Sequence, residues 1–385
     1  MRSPDIRELA GEAAQFRAKL EKLKRANASP EFAWYPYDTF SVFPVLTRML
    51  TGEHRSLLSL TGTRSLLDVG CGDGALSFFF ESCGLRVSAI DNVGTNHSRT
   101  AGFRTLAAAL NSTVEFMDRD LDAGLSLAGR TFGLALSLGV LYHLKNPYLL
   151  LETLARHARY CLLSTRIAQV TMSGVGIERE PVAYLLDPRE ANDDPTNYWV
   201  FSESGLRRIL ERTGWKVLDY TTAGYDRGSN PAAGDRDQRA FCLLASRLPD
   251  PWLGCDLEDG WHAMEDGRWR WTERSFGVRL AHPGTPVATF RLRFLLPEAL
   301  LRETGVVSLQ AVIGGERLPS CEYRSAGEQV YEQAVPPECL RNQAVSVRFE
   351  LDRAMRPAGG DVRELGVQLV FRSGAGDELR PIALA

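Results

Sequence analysis

The densest chemistry in the sequence lies in Leu66-Leu-Asp68-Val-Gly70-Cys71-Gly72-Asp73-Gly74-Ala75. An apolar strand there runs straight into a glycine-rich turn, and a helix follows. Glycines at alternate positions allow a sharp turn and close approach of a ligand to the backbone. The turn then offers amide donors at a helix N-terminus. Asp68, at the strand end, is a carboxylate that either reaches a cationic ligand or orders the loop. Cys71 reads as a small residue inside the turn. A second acidic strand end, Val87-Ser-Ala-Ile-Asp91, with Asn92 after it, stands about where a carboxylate accepts both hydroxyls of a ribose. A third acidic turn, Asp118-Arg-Asp120-Leu121, follows the next strand. Together these residues suit the binding of a nucleoside.

The elements that must position them alternate between short apolar runs and helical stretches from Ser65 to about Arg247. The runs Ser65–Val69, Val87–Ile90, Val114–Phe116, Gly133–Leu138, Tyr160–Ser164, Lys216–Tyr220 and Arg239–Ser246 predict strands. The alternation predicts an α/β domain over residues 56–247, a mainly parallel, doubly wound sheet with helices on both faces. Its ligands belong at the carboxyl edge of the strands. His143 falls there, just after the fourth strand, and titrates near neutrality, which suits a general base; the alternative is a loop-capping histidine. Tyr142 beside it either orients a substrate or walls the pocket. Ser137 lies at the end of the same strand.

Residues 1–55 form an N-terminal cap. Ile6, Leu9, Ala13, Phe16, Leu20 and Leu23 recur at helical spacing, with Ser3 and Pro4 as the expected cap and first turn. Lys19, Lys22, Lys24 and Arg25 make the helix end basic, as a partner contact or as a solvated face. An aromatic cluster follows, with Trp34, Tyr35 and Tyr37 as candidate acceptor contacts or as a staple to the next domain. Asn197 and Trp199 join them, because rings stack on planar or sugar-like acceptors and amides bond to them. The loop with Asp187, Glu190, Asp193 and Asp194 lacks a histidine, so a solvated loop rather than a metal is expected.

Two prolines and a glycine at residues 248–254 read as a linker. Beyond it, residues 255–385 alternate in short strand-like runs, which predicts an all-β sandwich, jelly-roll-like. Trp269 and Trp271 share one face of a strand and Arg268 and Arg270 the other. The tryptophans, with Trp261, are either a carbohydrate platform or sandwich core.

Of the 385 residues, 44% are hydrophobic and 24% charged, and the net charge is −3. This is ordinary for a globular protein and lacks the basic excess of a dedicated nucleic-acid binder. No apolar run approaches the ~20 residues of a membrane span. Seven scattered cysteines without a Cys-x-x-Cys pair fit neither a disulfide framework nor a zinc knuckle. With no signal-like N-terminus, a cytoplasmic location is expected.

The glycine turn with its two acidic successors resembles the class I S-adenosylmethionine-dependent methyltransferases over roughly residues 60–247. The resemblance implies a Rossmann-like sheet with S-adenosylmethionine as cofactor. Gly70, Gly72 and Gly74 would line its methionine and ribose portion, with Asp68, Cys71, Asn92 and Ser137 around them. Asp91 would hold the ribose, and Asp120 with Leu121 would recognise the adenine edge. Phe132-Gly-Leu-Ala-Leu-Ser137-Leu-Gly139-Val-Leu-Tyr142-His143-Leu-Lys-Asn146-Pro147 is similar to the tRNA wobble-uridine branch of these enzymes. That branch includes the transferase that uses carboxy-S-adenosylmethionine. There a lysine, the tyrosine of the Leu-Tyr-His motif and a late arginine read the extra carboxylate. Tyr142 and Arg239 match two of them, while Tyr35 or Tyr37 stands at the lysine. One lost charge-assisted bond costs on the order of 1.5–3 kcal/mol, so plain methyl transfer from S-adenosylmethionine is expected, with the carboxymethyl reaction as the alternative. The segments Trp261–Trp271, Phe349–Arg353 and Arg363–Gly366 look similar to β-domains appended to bacterial glycosyltransferases, which points to glycans. The expected function is therefore O-methylation of a sugar, glycan intermediate or related small molecule. The alternatives are a tRNA wobble-uridine enzyme and an inactive cofactor fold serving as a binding protein. Oligomeric state does not follow from the sequence.

Overall fold

The computed structural model describes residues 4–61, 64–125, 127, 130–247, 255–266, 268–281, 288–302, 305–340, 344–357, 361–370 and 382–384. The chain divides into two compact units. One comprises Met1–Leu125 and Gly133–Leu248, the other Ser126–Phe132 and Pro249–Ala385. The expected linker at 248–254 lies outside the described residues.

The first unit begins with α1 (Ile6–Ala26). The expected Ser3–Pro4 start is corrected: Asp5 is the N-cap, its side chain accepts from Arg7 N–H, and Glu8 returns a bond to the Asp5 amide in a capping box. Ser3 lies outside the described residues. Ile6, Leu9, Ala13 and Leu20 bury the apolar stripe, worth roughly 1.5–3 kcal/mol for each large side chain. The helix α2 (Val42–Met49) follows the aromatic cluster. Phe16 and Phe43 both meet Phe79 edge-on, at 5.7 and 5.3 Å between ring centroids, which docks α1 and α2 onto α3 (Ala75–Ser82).

The sheet is built from β1 (Ser65–Val69), β2 (Arg86–Asp91), β3 (Glu115–Asp118), β4 (Phe132–Leu138), β5 (Ala158–Ile167), β6 (Ala183–Leu185), β7 (Trp199–Phe201), β8 (Trp215–Gly224) and β9 (Gln238–Ser246). The helices α4 (Ala101–Leu110), α5 (Pro147–His157), α6 (Glu190–Asp193) and α7 (Glu203–Arg212) lie between them in the chain. The order β3-β2-β1-β4-β5 continues into β7 and β6, and β9 bridges β5 and β8. The pairs β1–β2, β1–β4 and β2–β3 are parallel, while β9 is antiparallel to β5 and β8. β1 is buried at every position, as a strand covered on both faces must be. The parallel register brings Asp91 beside Asp118 and Val69 beside Ser137, so the acidic strand ends meet at one edge. β6 and β7 were not expected from the sequence. Each has three residues, too short for an alternation to stand out.

The second unit is two antiparallel sheets. The first contains β10 (Cys255–Leu257), β12 (Ser275–Ala281), β14 (Val307–Ile313), β15 (Glu316–Arg317), β16 (Cys321–Tyr323) and β18 (Ala344–Leu351). The second contains β11 (Trp269–Trp271), β13 (Ala288–Leu296), β17 (Gly327–Val335), β19 (Gln368–Val370) and β20 (Ile382–Leu384). β14 alternates buried and half-buried residues along its length, giving one face to a core that includes Phe276, Phe290, Phe349 and Tyr331. Trp261 belongs to that core. Trp269 and Trp271 do not: on β11 they are half-buried and Arg270 is the buried residue, so the reading of those two as sandwich core is corrected. Arg270 donates to the His262 carbonyl, which satisfies part of the guanidinium.

Among the described residues no helix is long and apolar enough to cross a membrane, and no group of three or more His, Cys, Asp or Glu is placed to hold a metal ion. None of the seven cysteines is in a disulfide.

Candidate active site

The glycine turn after β1 is shaped by three left-handed residues, with φ of 73° at Gly70, 59° at Gly72 and 79° at Gly74. L-residues adopt such angles at a cost, so glycine is the residue the turn requires. The atoms nearest a Cβ built at Gly72 belong to the Tyr35 ring, 3.7 Å away, so an aromatic ring covers the turn at that position.

Asp91 accepts from Gly72 N–H at 2.7 Å and from Asn92 N–H at 2.8 Å. Burial pushes its carboxyl up, against those bonds. The Asn96 side chain also bonds to this carboxylate, so of its roughly four lone-pair sites about one stays open to a further donor such as a ribose hydroxyl. Asn92 caps its own turn by accepting from Gly94 N–H. Asp68 has a different place from Asp91. It is buried beneath the turn and accepts from the Ser77 hydroxyl of α3 at 2.5 Å. Burial raises it to about 6, so of its two sequence readings the geometry favours ordering of the loop. Cys71 is buried, and burial first, then Asp68 and Asp91, lifts its thiol far above the ordinary range. Asp120 is exposed and caps the turn containing the buried Leu121 by accepting from Asp122 N–H. Ser137 is fully buried, and its hydroxyl has no partner among the described residues.

Sequence reasoning did not single out Asp73 as functional. It is 3% exposed. One oxygen accepts from Tyr35 N–H at 2.6 Å and the other from the Ser98 hydroxyl at 2.9 Å. It therefore clasps the aromatic segment to the glycine turn. Tyr35 packs edge-on against Tyr37, 5.5 Å apart, and burial pushes its hydroxyl up to about 12. Tyr37 is 71% exposed and stands at the rim. Trp34 turns away toward the N-terminal core, under the Lys24 ammonium and against Phe32.

Beyond β4, Gly139 adopts φ 79° and donates its N–H to the Ser164 carbonyl. A Cβ there would lie 3.6 Å from the Tyr142 hydroxyl and 3.7 Å from Arg239 Nη1. The bare α-carbon is thus the floor of a small space walled by a phenol and a guanidinium. Burial raises the Tyr142 hydroxyl. Arg239 Nε donates to Asp237 Oδ2 at 3.1 Å, and Arg166 Nε donates to Asp237 Oδ1 at 2.6 Å. Arg166 and Asp237 were both missed at the sequence level, because they come together across 71 residues of chain. One carboxylate is thus shared by two guanidiniums.

His143 lies 4.3 Å from the Tyr142 ring centroid, and burial lowers its pKa, so it is neutral at pH 7. Its Nδ1 contacts the Thr196 hydroxyl at 2.9 Å. Asn197 donates to the Ala191 carbonyl of α6, and its Oδ1 has no partner among the described residues. Trp199, on β7, donates Nε1–H to the Lys145 carbonyl. The structure thus brings Tyr35, Tyr142, His143 and Arg239 together and turns Trp34 toward the N-terminal core.

The family model described as "Methyltransferase domain" matches residues 7–220, more than half of the chain. No curated protein matches it. Among solved structures, the N-terminal domain of EvdMO1 with SAH bound is 17% identical over 60% of this chain and 97% of that one, with a TM-score of 0.38. The glycopeptide N-methyltransferase MtfA complexed with S-adenosylmethionine is 17% identical over 46% of this chain and 86% of that one, with a TM-score of 0.32. Magnesium protoporphyrin IX methyltransferase from Synechocystis PCC 6803 is 18% identical over 47% of this chain and 69% of that one, with a TM-score of 0.31. The family match over more than half of the chain shows that it belongs to the methyltransferase domain family, and it is an S-adenosylmethionine-dependent methyltransferase.

Proposed function

We propose that the enzyme methylates a hydroxyl oxygen of a small-molecule, sugar or glycan-linked acceptor. The supporting observation is the walled space over Gly139, with a neutral histidine alongside it. S-adenosylmethionine supplies an electrophilic methyl, and the protein's part is to align the acceptor and remove its proton. Asp91 and the glycine turn hold the nucleoside. Tyr142 and Arg239 orient the acceptor, and His143 takes the hydroxyl proton. Tyr35 and Tyr37 form the cap beside the site. The test is transfer of labelled methyl to panels of sugars, glycans, phenols and tRNA, with His143→Gln as control. Wild-type transfer to a hydroxyl acceptor that His143→Gln loses supports the reading; an unaffected variant refutes the role of His143.

A second reading is favoured by one feature. The Tyr142 hydroxyl and the Arg239 guanidinium converge on one point, as recognition of an anionic cofactor such as carboxy-S-adenosylmethionine would require. Tyr35, uncharged with its hydroxyl at about 12, stands near them in place of a lysine, which is why plain methyl transfer is preferred. Mass spectrometry of the co-purifying ligand separates the two. Carboxy-S-adenosylmethionine would make tRNA carboxymethyl transfer the leading reading.

A further inference from the structure

The loop between α6 and β7 is strapped to the turn that carries His143. Tyr198 N–H donates to the Tyr142 carbonyl at 2.8 Å, and Trp199 Nε1 donates to the Lys145 carbonyl at 3.1 Å. Within this strapped loop, Thr196 and Asp194 form a chain of hydrogen bonds that ends on His143. The Thr196 hydroxyl donates to Asp194 Oδ1 at 2.6 Å, and the Thr196 amide donates to the same oxygen at 2.9 Å. A hydroxyl has one proton, so toward His143 the Thr196 oxygen can only accept. His143 Nδ1 lies 2.9 Å from that oxygen and 3.2 Å from the Thr196 carbonyl, a second group that only accepts. The proton of the neutral ring is therefore on Nδ1. Nε2 has no partner among the described residues and keeps its lone pair.

We propose that Thr196 and Asp194 are positioning residues that fix His143 as the Nδ1–H tautomer and so leave Nε2 as the proton acceptor of the transferase reaction. This rests on the reading of His143 as the base. In the step it serves, the acceptor O–H proton passes to Nε2 as the new oxygen–methyl bond forms and the sulfur–methyl bond breaks. The ring then carries one positive charge, and the sulfonium charge is discharged. A free imidazole side chain prefers its proton on Nε2, the wrong nitrogen for this purpose, so a device that reverses the preference has a function. The charged and titratable groups facing the ring are Asp194, which raises its pKa, Arg239 and Arg166, which lower it, and Tyr142, whose ring packs beside it.

The test needs no acceptor. Histidine-labelled full-length protein at pH 7.5 is examined by long-range proton–nitrogen correlation, with His143 assigned by difference against His143→Gln. The expected pattern is a protonated Nδ1 and a bare Nε2. Thr196→Val removes the 2.9 Å acceptor and leaves only the carbonyl at 3.2 Å, so the share of Nε2–H rises, and Thr196→Ser retains the wild-type pattern. Asp194→Asn keeps an acceptor for the Thr196 hydroxyl, so it preserves the tautomer but lowers the His143 titration midpoint. A proton on Nε2 in the wild type overturns the proposal, as does a folded valine variant with an unchanged pattern. If the valine variant does not fold, the wild-type and serine patterns still decide. Calorimetric binding of S-adenosylhomocysteine to the same samples reports separately on the transferase reading. A correct tautomer without such binding would refute that reading and leave the tautomer assignment standing.

Discussion

Replacing Asp91 tests the nucleoside site most directly. Its two oxygens accept one backbone amide each, from Gly72 at 2.7 Å and Asn92 at 2.8 Å. The Asn96 side chain bonds to this carboxylate as well, and a carboxylate has about four lone-pair sites, so about one remains for a ribose hydroxyl. A hydrogen bond to a charged acceptor contributes about 1.5–3 kcal/mol. At tenfold in Kd for each 1.4 kcal/mol, Asp91→Ala weakens S-adenosylhomocysteine binding roughly 10- to 100-fold. Asp91→Asn keeps one acceptor oxygen and loses the charge, so its loss is intermediate. Isothermal titration calorimetry reads both values. A thermal melt checks that the alanine variant, which leaves the Gly72 and Asn92 amides without their acceptor, still folds. A folded Asp91→Ala protein that binds within about threefold of wild type would refute the assignment of Asp91 to the ribose.

Three further outcomes are expected. Because burial lowers the His143 pKa, the acid limb of the pH–rate profile falls below the ordinary value of 6.5, and His143→Gln removes it; a limb above 6.5 would count against His143 as base. Gly139→Ala puts a methyl 3.6 Å from the Tyr142 hydroxyl at φ 79°, at a backbone cost of about 1–2 kcal/mol. It should slow transfer and leave S-adenosylhomocysteine affinity unchanged, as turnover and calorimetry will check. Asp68 has a folded pKa of about 6 against an ordinary 3.8, so the folded state holds this proton more tightly than the unfolded one. Stability therefore falls as pH rises from about 4 through 6, by up to about 3 kcal/mol. Asp68→Asn can still accept from Ser77 and escapes this loss. Denaturant melts should show its advantage growing over that window and level above it.

The glycine turn and the acidic strand ends were legible in the sequence because their signals are local. The glycine turn, the end of β2 and the buried β1 are each written in consecutive residues, and a parallel sheet brings such strand ends to one edge. The surroundings of Tyr35, His143 and Arg239 depend on pairs far apart in the chain. Asp73 meets Tyr35 across 38 residues, His143 meets Thr196 across 53, and Arg166 meets Asp237 across 71. No spacing rule reaches that far, so Asp194 read as one member of a solvated acidic loop. The β11 tryptophans teach a related lesson. Period-two alternation identifies which residues share a face, but burial of Arg270 shows that it does not say which face turns inward.

The Asp73 clasp has a consequence for the tempo of turnover. Lifting the aromatic segment breaks a short bond from Tyr35 N–H to a nearly inaccessible carboxylate. At about 1.5–3 kcal/mol, that bond alone holds the lifted form to roughly one molecule in ten to one in a hundred. If nucleoside exchanges only through this lifted form, exchange rather than chemistry is the slow event, and a rapid first turnover followed by a slower steady rate is the expected signature.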